Sequence, residues 1–186
     1  RDGISFPSTR RDRLIFSVRG LPMKLSRLIY KSIATAEVIS NRTLRDLEDQ
    51  ASAANAERGI SGLLVLTGNV FLQALEGSAQ EVTGLFARIA ADKRHRAVEL
   101  VTFQTISQRS FDDWNMRLVD LYDLPGDKRA LMVAKYGEKD GNIMLPDDEH
   151  EVYAFLFDAK HLCVTTPWKS TRDSDGTADS VTGSSP

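Results

Sequence analysis

Three polar side chains stand out because they fall in segments of the sequence that are otherwise apolar or helical. Gln73 lies in the middle of the apolar run 70–75, Tyr30 lies in an earlier apolar run, and Asn55 lies near the end of a helical segment. A buried carboxamide needs partners for two donors and an acceptor, so Gln73 is the first candidate for contact with a polar group that is not protein. Each side chain alone also fits an ordinary core position. Together, a hydroxyl and two amides facing one cleft indicate a bound aromatic molecule with polar edges.

The segment that must position Gln73 has the pattern of a β-hairpin. It covers residues 59–77, GISGLLVLTGNVFLQALEG. Two apolar runs flank Gly68 and Asn69, a two-residue loop of the kind that needs positive φ at its first residue. The runs are almost continuous in apolar residues, which is typical of strands covered on much of both faces.

The rest of the chain predicts two helices and three more strands around this hairpin. Strands are predicted over 25–33, 97–106 and 114–121, and helices from Asn41 or Thr43 to Gly59 and from the capping residue Ser78 to about Asp92. The order β-α-β-β-α-β-β predicts an α+β fold, with a ferredoxin-like sheet, one added strand and both helices on one face. Its first and third strands are central neighbours, so Tyr30 and Gln73 would point into the space between the helices. Trp114 and Met116 alternate on the last strand and are expected to share a face.

The composition divides the chain into four segments. Residues 1–22 are rich in arginine and are expected to be a disordered extension before a start at Met23, with a transit peptide as the alternative. Residues 23–122 hold the predicted sheet. Residues 123–165 carry two more predicted helices, which are expected to cap the exposed face of the sheet or to make a subunit contact. Residues 166–186 are expected to be a flexible tail rich in Ser, Thr, Asp and Gly.

The composition also argues against several classes of function. A net charge of −2 over 186 residues argues against a nucleic-acid partner. Cys163 is the single cysteine, which excludes a disulfide framework and a cysteine zinc site and favours a cytoplasmic location. No apolar run approaches the ~20 residues needed to cross a bilayer, so no membrane partner is expected. The sequence lacks G-x-G-x-x-G, P-loop and HExxH motifs, and His150 and His161 are expected to be exposed rather than metal ligands.

Four separated segments of the chain are similar to a known family. They are RLIYKSIA at 27–34, NAERGISGLLVLTGNVFLQALEG at 55–77, RIAADKRHRAV at 88–98 and RSFDDWNMRLV at 109–119. In order and spacing they resemble a BLUF domain, the flavin-based module that senses blue light, over roughly residues 25–122. The two helices after Pro125 resemble those that follow the sheet in short, stand-alone BLUF proteins. The segment 23–122 is therefore expected to be a BLUF flavin-binding domain.

The resemblance implies non-covalently bound FAD with its ring between the two helices. The resemblance also implies that Tyr30 is the photoactive tyrosine and Gln73 the switching glutamine. Chemistry supports these roles, since a phenol can donate an electron and a proton to excited flavin and an amide can reverse its hydrogen-bond polarity. The further cofactor contacts that the resemblance implies are Ser32, Asn55, Arg88, Ile89, Asp92 and His95. Arg88 and Asp92 would contact the pyrimidine edge, although by spacing alone they also fit an i, i+4 surface ion pair. Trp114 and Met116 would relay the signal. Ala54 departs from relatives that carry Asn or His, so a ring or phosphate contact is expected to be missing there.

The leading functional prediction is a stand-alone blue-light photoreceptor without enzyme activity. Light would rearrange hydrogen bonds around Tyr30 and Gln73, and the change would pass to an unknown downstream protein or to a subunit interface of an expected homo-oligomer. Residues 123–186 are too few for a cyclase or phosphodiesterase domain. Two alternatives stay open, namely a small acylphosphatase-like enzyme on the same sheet and a ligand-binding regulatory domain without photochemistry.

Overall fold

A computed structural model of the chain describes residues 24–35, 39 and 41–165. The helices are α1 (Asn41–Arg58), α2 (Ala79–Ala91), α3 (Gly126–Tyr136) and α4 (Glu149–Thr165). The strands are β1 (Leu25–Ala34), β2 (Ser61–Thr67), β3 (Val70–Ser78), β4 (His95–Thr105), β5 (Arg117–Asp120), β6 (Glu138–Lys139) and β7 (Asn142–Ile143), and a 3-10 turn covers Leu121–Asp123. The extension predicted at 1–22 and the tail predicted at 166–186 lie outside the described residues.

The hairpin of β2 and β3 forms where the sequence predicts it. Gly68 begins the two-residue loop with a φ of 58°, the positive value that glycine adopts without steric cost. Thr67 pairs with Val70 across this loop, and every residue of β2 is buried. The continuous burial explains why the two apolar runs show so little alternation with polar residues.

Five strands form one sheet in the order β4-β1-β3-β2-β5. β1 runs antiparallel to both β3 and β4, and β5 lies parallel to β2 at one edge. The register places Tyr30 directly opposite Gln73 in two neighbouring strands. This order confirms the ferredoxin-like sheet with an added strand, and it confirms that the two polar side chains are neighbours.

Helices cover both faces of this sheet. Successive side chains of a strand point to opposite faces, so each central strand contributes to two separate cores. The core beneath α1 and α2 contains Leu28, Leu64 and Leu75 together with Leu44 and Val82 from the helices. The core beneath α3 and α4 contains Ile29, Val65 and Leu72 together with Met132 and Phe155. The C-terminal helices α3 and α4 therefore pack on the second face of the sheet.

The start of α2 is fixed by the capping residue that the sequence predicts. Ser78 has an extended backbone, and its hydroxyl accepts a hydrogen bond from the Glu81 N–H at 3.2 Å. This bond satisfies one of the N–H groups that the first turn of a helix leaves without an internal partner. Since β3 also ends at Ser78, the strand leads directly into α2 and sets the helix against β1 and β3.

The fifth strand is shorter than predicted, which changes the position of Trp114. β5 begins at Arg117, so residues 114–116 precede it in a loop. Trp114 packs against the core beneath α3 and α4, whereas Met116 belongs to the core beneath α1 and α2. The prediction that the two side chains share a face is wrong, because two-residue alternation holds only where the backbone is an extended strand.

Substitution of Gly62 in β2 tests how closely the two hairpin strands approach each other. A Cβ at this position would clash with the carbonyl oxygen of Ala74. We expect Gly62→Ala to lower the free energy of unfolding by about 1–3 kcal/mol through overpacking. Gly84→Ala in α2 is the matched control, because a Cβ there meets nothing within 4 Å, and it should raise stability by up to about 1 kcal/mol. Urea unfolding at constant flavin concentration measures both, and a Gly62→Ala variant as stable as the wild type would contradict this packing.

Candidate functional site

A cleft of about 370 Å³ lies between α1 and α2 over the centre of the sheet. Small-molecule sites typically measure about 300–1,000 Å³. Seven of the predicted cofactor contacts line the cleft: Tyr30, Asn55, Gln73, Arg88, Ile89, Asp92 and His95. Met116 also lines it, while Ser32 and Trp114 lie outside the lining. The fold therefore brings together most of the residues that the sequence singled out.

The floor of the cleft carries a hydrogen-bonded pair from β1 and β3. Tyr30 and Gln73 are 0% and 2% exposed, and the Tyr30 hydroxyl donates to Oε1 of Gln73. Nε2 of the same amide lies 3.2 Å from the sulfur of Met116. Burial raises the pKa of Tyr30, and the charge of Asp92 raises it further. The phenol therefore stays protonated at neutral pH, and the acceptor end of the amide is held toward it.

Asn55 reaches the cleft from the last turn of α1. Its side chain is buried, and its Nδ2 donates to the backbone carbonyl of Asn115 at 3.0 Å. Its own backbone carbonyl accepts from the Ile60 N–H at 2.9 Å. Asn55 therefore connects the wall of the cleft to the loop that carries Met116.

The carboxylate of Asp92 binds Arg94 rather than Arg88. Two guanidinium nitrogens of Arg94 donate to Oδ2 of Asp92 at 2.9 and 2.6 Å, and the Arg94 backbone N–H donates to Oδ1 at 2.9 Å. These bonds hold the pKa of Asp92 below its usual range. The i, i+4 ion pair with Arg88 that the spacing allows does not form, because α2 ends at Ala91 and Asp92 has an extended backbone. Arg88 is exposed at the rim of the cleft.

Ser32 acts on the cleft through a neighbour. Its hydroxyl lies 2.9 Å from Nδ1 of His95, at the start of β4. The imidazole lines the cleft and lies with its ring centre 6.3 Å from that of Tyr30 and 5.4 Å from that of Phe71. Burial lowers the pKa of His95, so the ring is neutral at pH 7.

Two parts of the site were missed by sequence reasoning. The first is the face of α1 formed by Leu47, Glu48, Gln50, Ala51 and Arg58. Its three- and four-residue spacing from Asn55 is the signal that could have identified most of it. The second is Arg94, which lies beyond the end of α2, so helical spacing could not place it at the cleft.

The cleft suits a flat ring that has apolar faces and hydrogen-bonding edges. Aliphatic side chains such as Leu47 of α1 and Ile89 of α2 line the two helical walls. A hydroxyl and an amide lie at the floor. Glu48 lies midway along α1, and the other charged groups lie toward or beyond the C-terminal ends of α1 and α2. The isoalloxazine ring of a flavin combines apolar faces with donors and acceptors along its edges, so the residues present fit FAD.

Neither a membrane-crossing helix nor a metal cluster occurs in the part of the chain that the structure describes. None of the helices described there combines the length and apolar character needed to span a bilayer. Within the same residues, no three His, Cys, Asp or Glu side chains are placed to hold a metal ion.

Comparison with known sequences identifies a family and a set of larger relatives. The family model BLUF, sensors of blue light using FAD, matches residues 25–117. Photoactivated adenylate cyclase subunit beta of Euglena gracilis is 33% identical over 94 residues, and subunit alpha of that organism is 32% identical over 95 residues. Each match covers 50% of this chain but only 11% of the beta subunit and 9% of the alpha subunit. The chain thus spans about a tenth of the length of these relatives.

Solved structures share the fold over more of the chain. The structure named BlsA photo-activated state has 26% sequence identity and a TM-score of 0.63, and the match covers 78% of this chain and 99% of that one. BlrB, a BLUF protein in its dark state, has 25% identity and a TM-score of 0.56 over 76% of this chain and 97% of its own. The coverage by BlsA is too large to end at residue 117, so the likeness includes part of the C-terminal region.

The lowered pKa of His95 predicts how stability changes with pH. Because the folded state holds His95 neutral, the unfolded chain takes up its proton first as the pH falls from about 6.5. The free energy of unfolding should therefore fall as the pH drops from about 6.5 through the pKa of His95 in the folded state. Above about pH 6.5 this loss should be absent. A histidine NMR titration should place the midpoint of His95 below about 6.5. A His95→Asn variant should lose less stability between pH 7 and pH 5 than the wild type, and an unchanged loss would contradict this assignment.

Proposed function

We propose that the cleft between α1 and α2 holds the flavin ring of FAD. The chain belongs to the BLUF family, the sensors of blue light that use FAD. The observation that carries the proposal is the buried Tyr30–Gln73 hydrogen bond at the floor of that cleft. A pure packing role would not need a hydroxyl and an amide bonded to each other among the apolar side chains of the core beneath α1 and α2.

Specific residues would hold the cofactor at its edges and faces. Tyr30, Gln73 and Asn55 offer polar groups at the floor and at the α1 wall. Asp92, and with it Arg88, would contact the pyrimidine edge, and Arg94 adds a third charged group at that end of the cleft. Ile89 and His95 would lie against the ring, and Ser32 would set the orientation of His95 through their 2.9 Å contact.

FAD, when bound, absorbs blue light and becomes a strong oxidant in its excited state. The protein contributes an amide whose two ends differ, since Oε1 of Gln73 accepts from Tyr30 while Nε2 lies against Met116. Rotation or tautomerisation of this amide would exchange the donor and acceptor ends without breaking any covalent bond to the protein. Burial raises the pKa of Tyr30, so the phenol keeps its proton in the dark and can donate to Oε1 of Gln73.

The size of this change limits what it can drive. One or two rearranged hydrogen bonds are worth about 0.5–1.5 kcal/mol each in net terms. A change of about 1.4 kcal/mol shifts an equilibrium about tenfold. The output is therefore a modulated contact with a partner protein or between subunits of a homo-oligomer, rather than a complete change of fold, with Trp114 and Met116 as relay residues.

A sensor without its own catalysis fits this chain best. The relatives named as adenylate cyclases are about tenfold longer than the region that matches this chain, so their activity is not carried over. The C-terminal helices described here pack onto the sheet through their apolar side chains.

An absorption spectrum tests the function, because only a photoreceptor would be yellow and have an absorption band that shifts slightly to the red under blue light. A colourless protein, or a yellow one without the shift, would favour an enzyme or a ligand-binding regulatory domain.

Gln73→Leu should separate flavin binding from photochemistry. The leucine keeps the volume close to that of glutamine but has no hydrogen-bonding group, so the variant should retain FAD and show no light-induced red shift. Gln104→Leu is the matched control, since it makes the same chemical change at an exposed position on β4 outside the cleft, and it should shift normally. A normal shift in Gln73→Leu would remove this side chain from the mechanism.

A further inference from the structure

A buried carboxylate at the end of β3 is not used by the cleft. The side chain of Glu76 is fully buried, three residues after Gln73 on the same strand. Its Oε1 accepts from Nε of Arg27 at 2.7 Å and lies 2.6 Å from a terminal nitrogen of the same guanidinium. Its Oε2 accepts from the backbone N–H groups of Ser110 at 2.8 Å and Phe111 at 3.0 Å. One carboxylate thus joins β1, β3 and the segment that leads to β5.

The same cluster reaches helix α4. The Ser110 hydroxyl accepts from a guanidinium nitrogen of Arg27 at 2.5 Å and is 2.7 Å from the hydroxyl of Tyr153. The guanidinium carbon of Arg27 lies 4.4 Å from the centre of the Tyr153 ring. Lys160, two turns further along α4, donates to the Ser110 carbonyl at 2.6 Å. The position of α4 is therefore tied to Ser110 by hydrogen bonds as well as by apolar packing.

The other end of this segment reaches the cleft. Residues 109–116, here called the β5-entry loop, end at Met116, whose sulfur lies 3.2 Å from Nε2 of Gln73. The carbonyl of Asn115 accepts from Asn55 at 3.0 Å. The β5-entry loop therefore touches the switching amide at one end and α4 at the other.

We propose that Glu76 is a positioning residue that couples the cleft to α4 through the β5-entry loop. This inference rests on the proposed function, because it concerns how a change in the hydrogen bonds of Gln73 is transmitted from the cleft to α4. A buried carboxylate cannot be separated from its guanidinium partner without leaving a charge unpaired, so Ser110 and Phe111 are held against β3. A displacement at Asn115 and Met116 is then passed to the contacts of Ser110 with Tyr153 and Lys160 instead of being absorbed within the loop.

A single hydroxyl offers a mild test that leaves the buried ion pair in place. Tyr153→Phe removes the contact to Ser110 but keeps an aromatic ring beneath Arg27. Tyr136→Phe is the matched control, because its hydroxyl donates to Asp158 of α4 at 2.7 Å and makes no contact with the β5-entry loop. Both variants keep every residue of the cleft, so FAD binding and the red shift should match the wild type. Hydrogen exchange of residues 149–162 would be measured in the dark and under blue light.

The light-minus-dark difference in exchange of α4 should fall by about half or more in Tyr153→Phe, since one of the few polar contacts to the loop is lost. The difference should stay at the wild-type level in Tyr136→Phe. Ser110→Ala, which removes the other hydroxyl of the pair, should repeat the loss. An equal difference in Tyr153→Phe and wild type, or no difference in α4 of a wild-type protein that still shifts to the red, would overturn the coupling while leaving the proposed function intact. Absence of the red shift in the wild type would instead defeat the proposed function, and this inference with it.

Discussion

The hydrogen bond from Tyr30 to Gln73 is the interaction on which the rest of the site depends. It joins two central strands beside the apolar core beneath α1 and α2, and both partners are almost completely buried. Polar groups in such a place destabilise a fold unless each finds a partner. Here the phenol and the acceptor end of the amide satisfy each other, while the donor end of the amide faces a weakly accepting sulfur. One half of the amide is thus well bonded, and the other half is open to a stronger partner.

The three-layer arrangement explains how that bond can be buried while a change in it still affects the helices on the other face of the sheet. Helices α1 and α2 cover one face of the sheet and leave the cleft between them, while α3 and α4 cover the other face. A change in the cleft can reach the second layer either through the tightly packed sheet or around its edge. The β5-entry loop passes around that edge and has polar contacts at both ends. The buried Arg27–Glu76 pair holds this path in one position.

Much of this arrangement could be predicted from local sequence patterns. The hairpin, the Ser78 cap and the strand order were enough to place Tyr30 beside Gln73, because the order of elements determines which strands are neighbours. Two details were not predictable in this way. Asp92 turns out of the helical path at the end of α2 and binds Arg94, so helical spacing suggested the wrong arginine. Trp114 lies on the opposite face from Met116, because contacts distant in sequence, such as that from Gly62 to the Trp114 carbonyl at 3.1 Å, hold the loop out of the strand.

The central claim, that the Gln73 amide changes its hydrogen bonding beside a flavin, can be measured at that amide. Light-minus-dark infrared spectra would be recorded for protein whose glutamine side chains carry ¹³C, with labelled Gln73→Leu to identify the bands of this residue. We predict a shifted Gln73 carbonyl band in the light, because its bond from the Tyr30 hydroxyl is exchanged for another. A protein that shifts its visible absorption to the red while the Gln73 band stays unchanged would contradict the account.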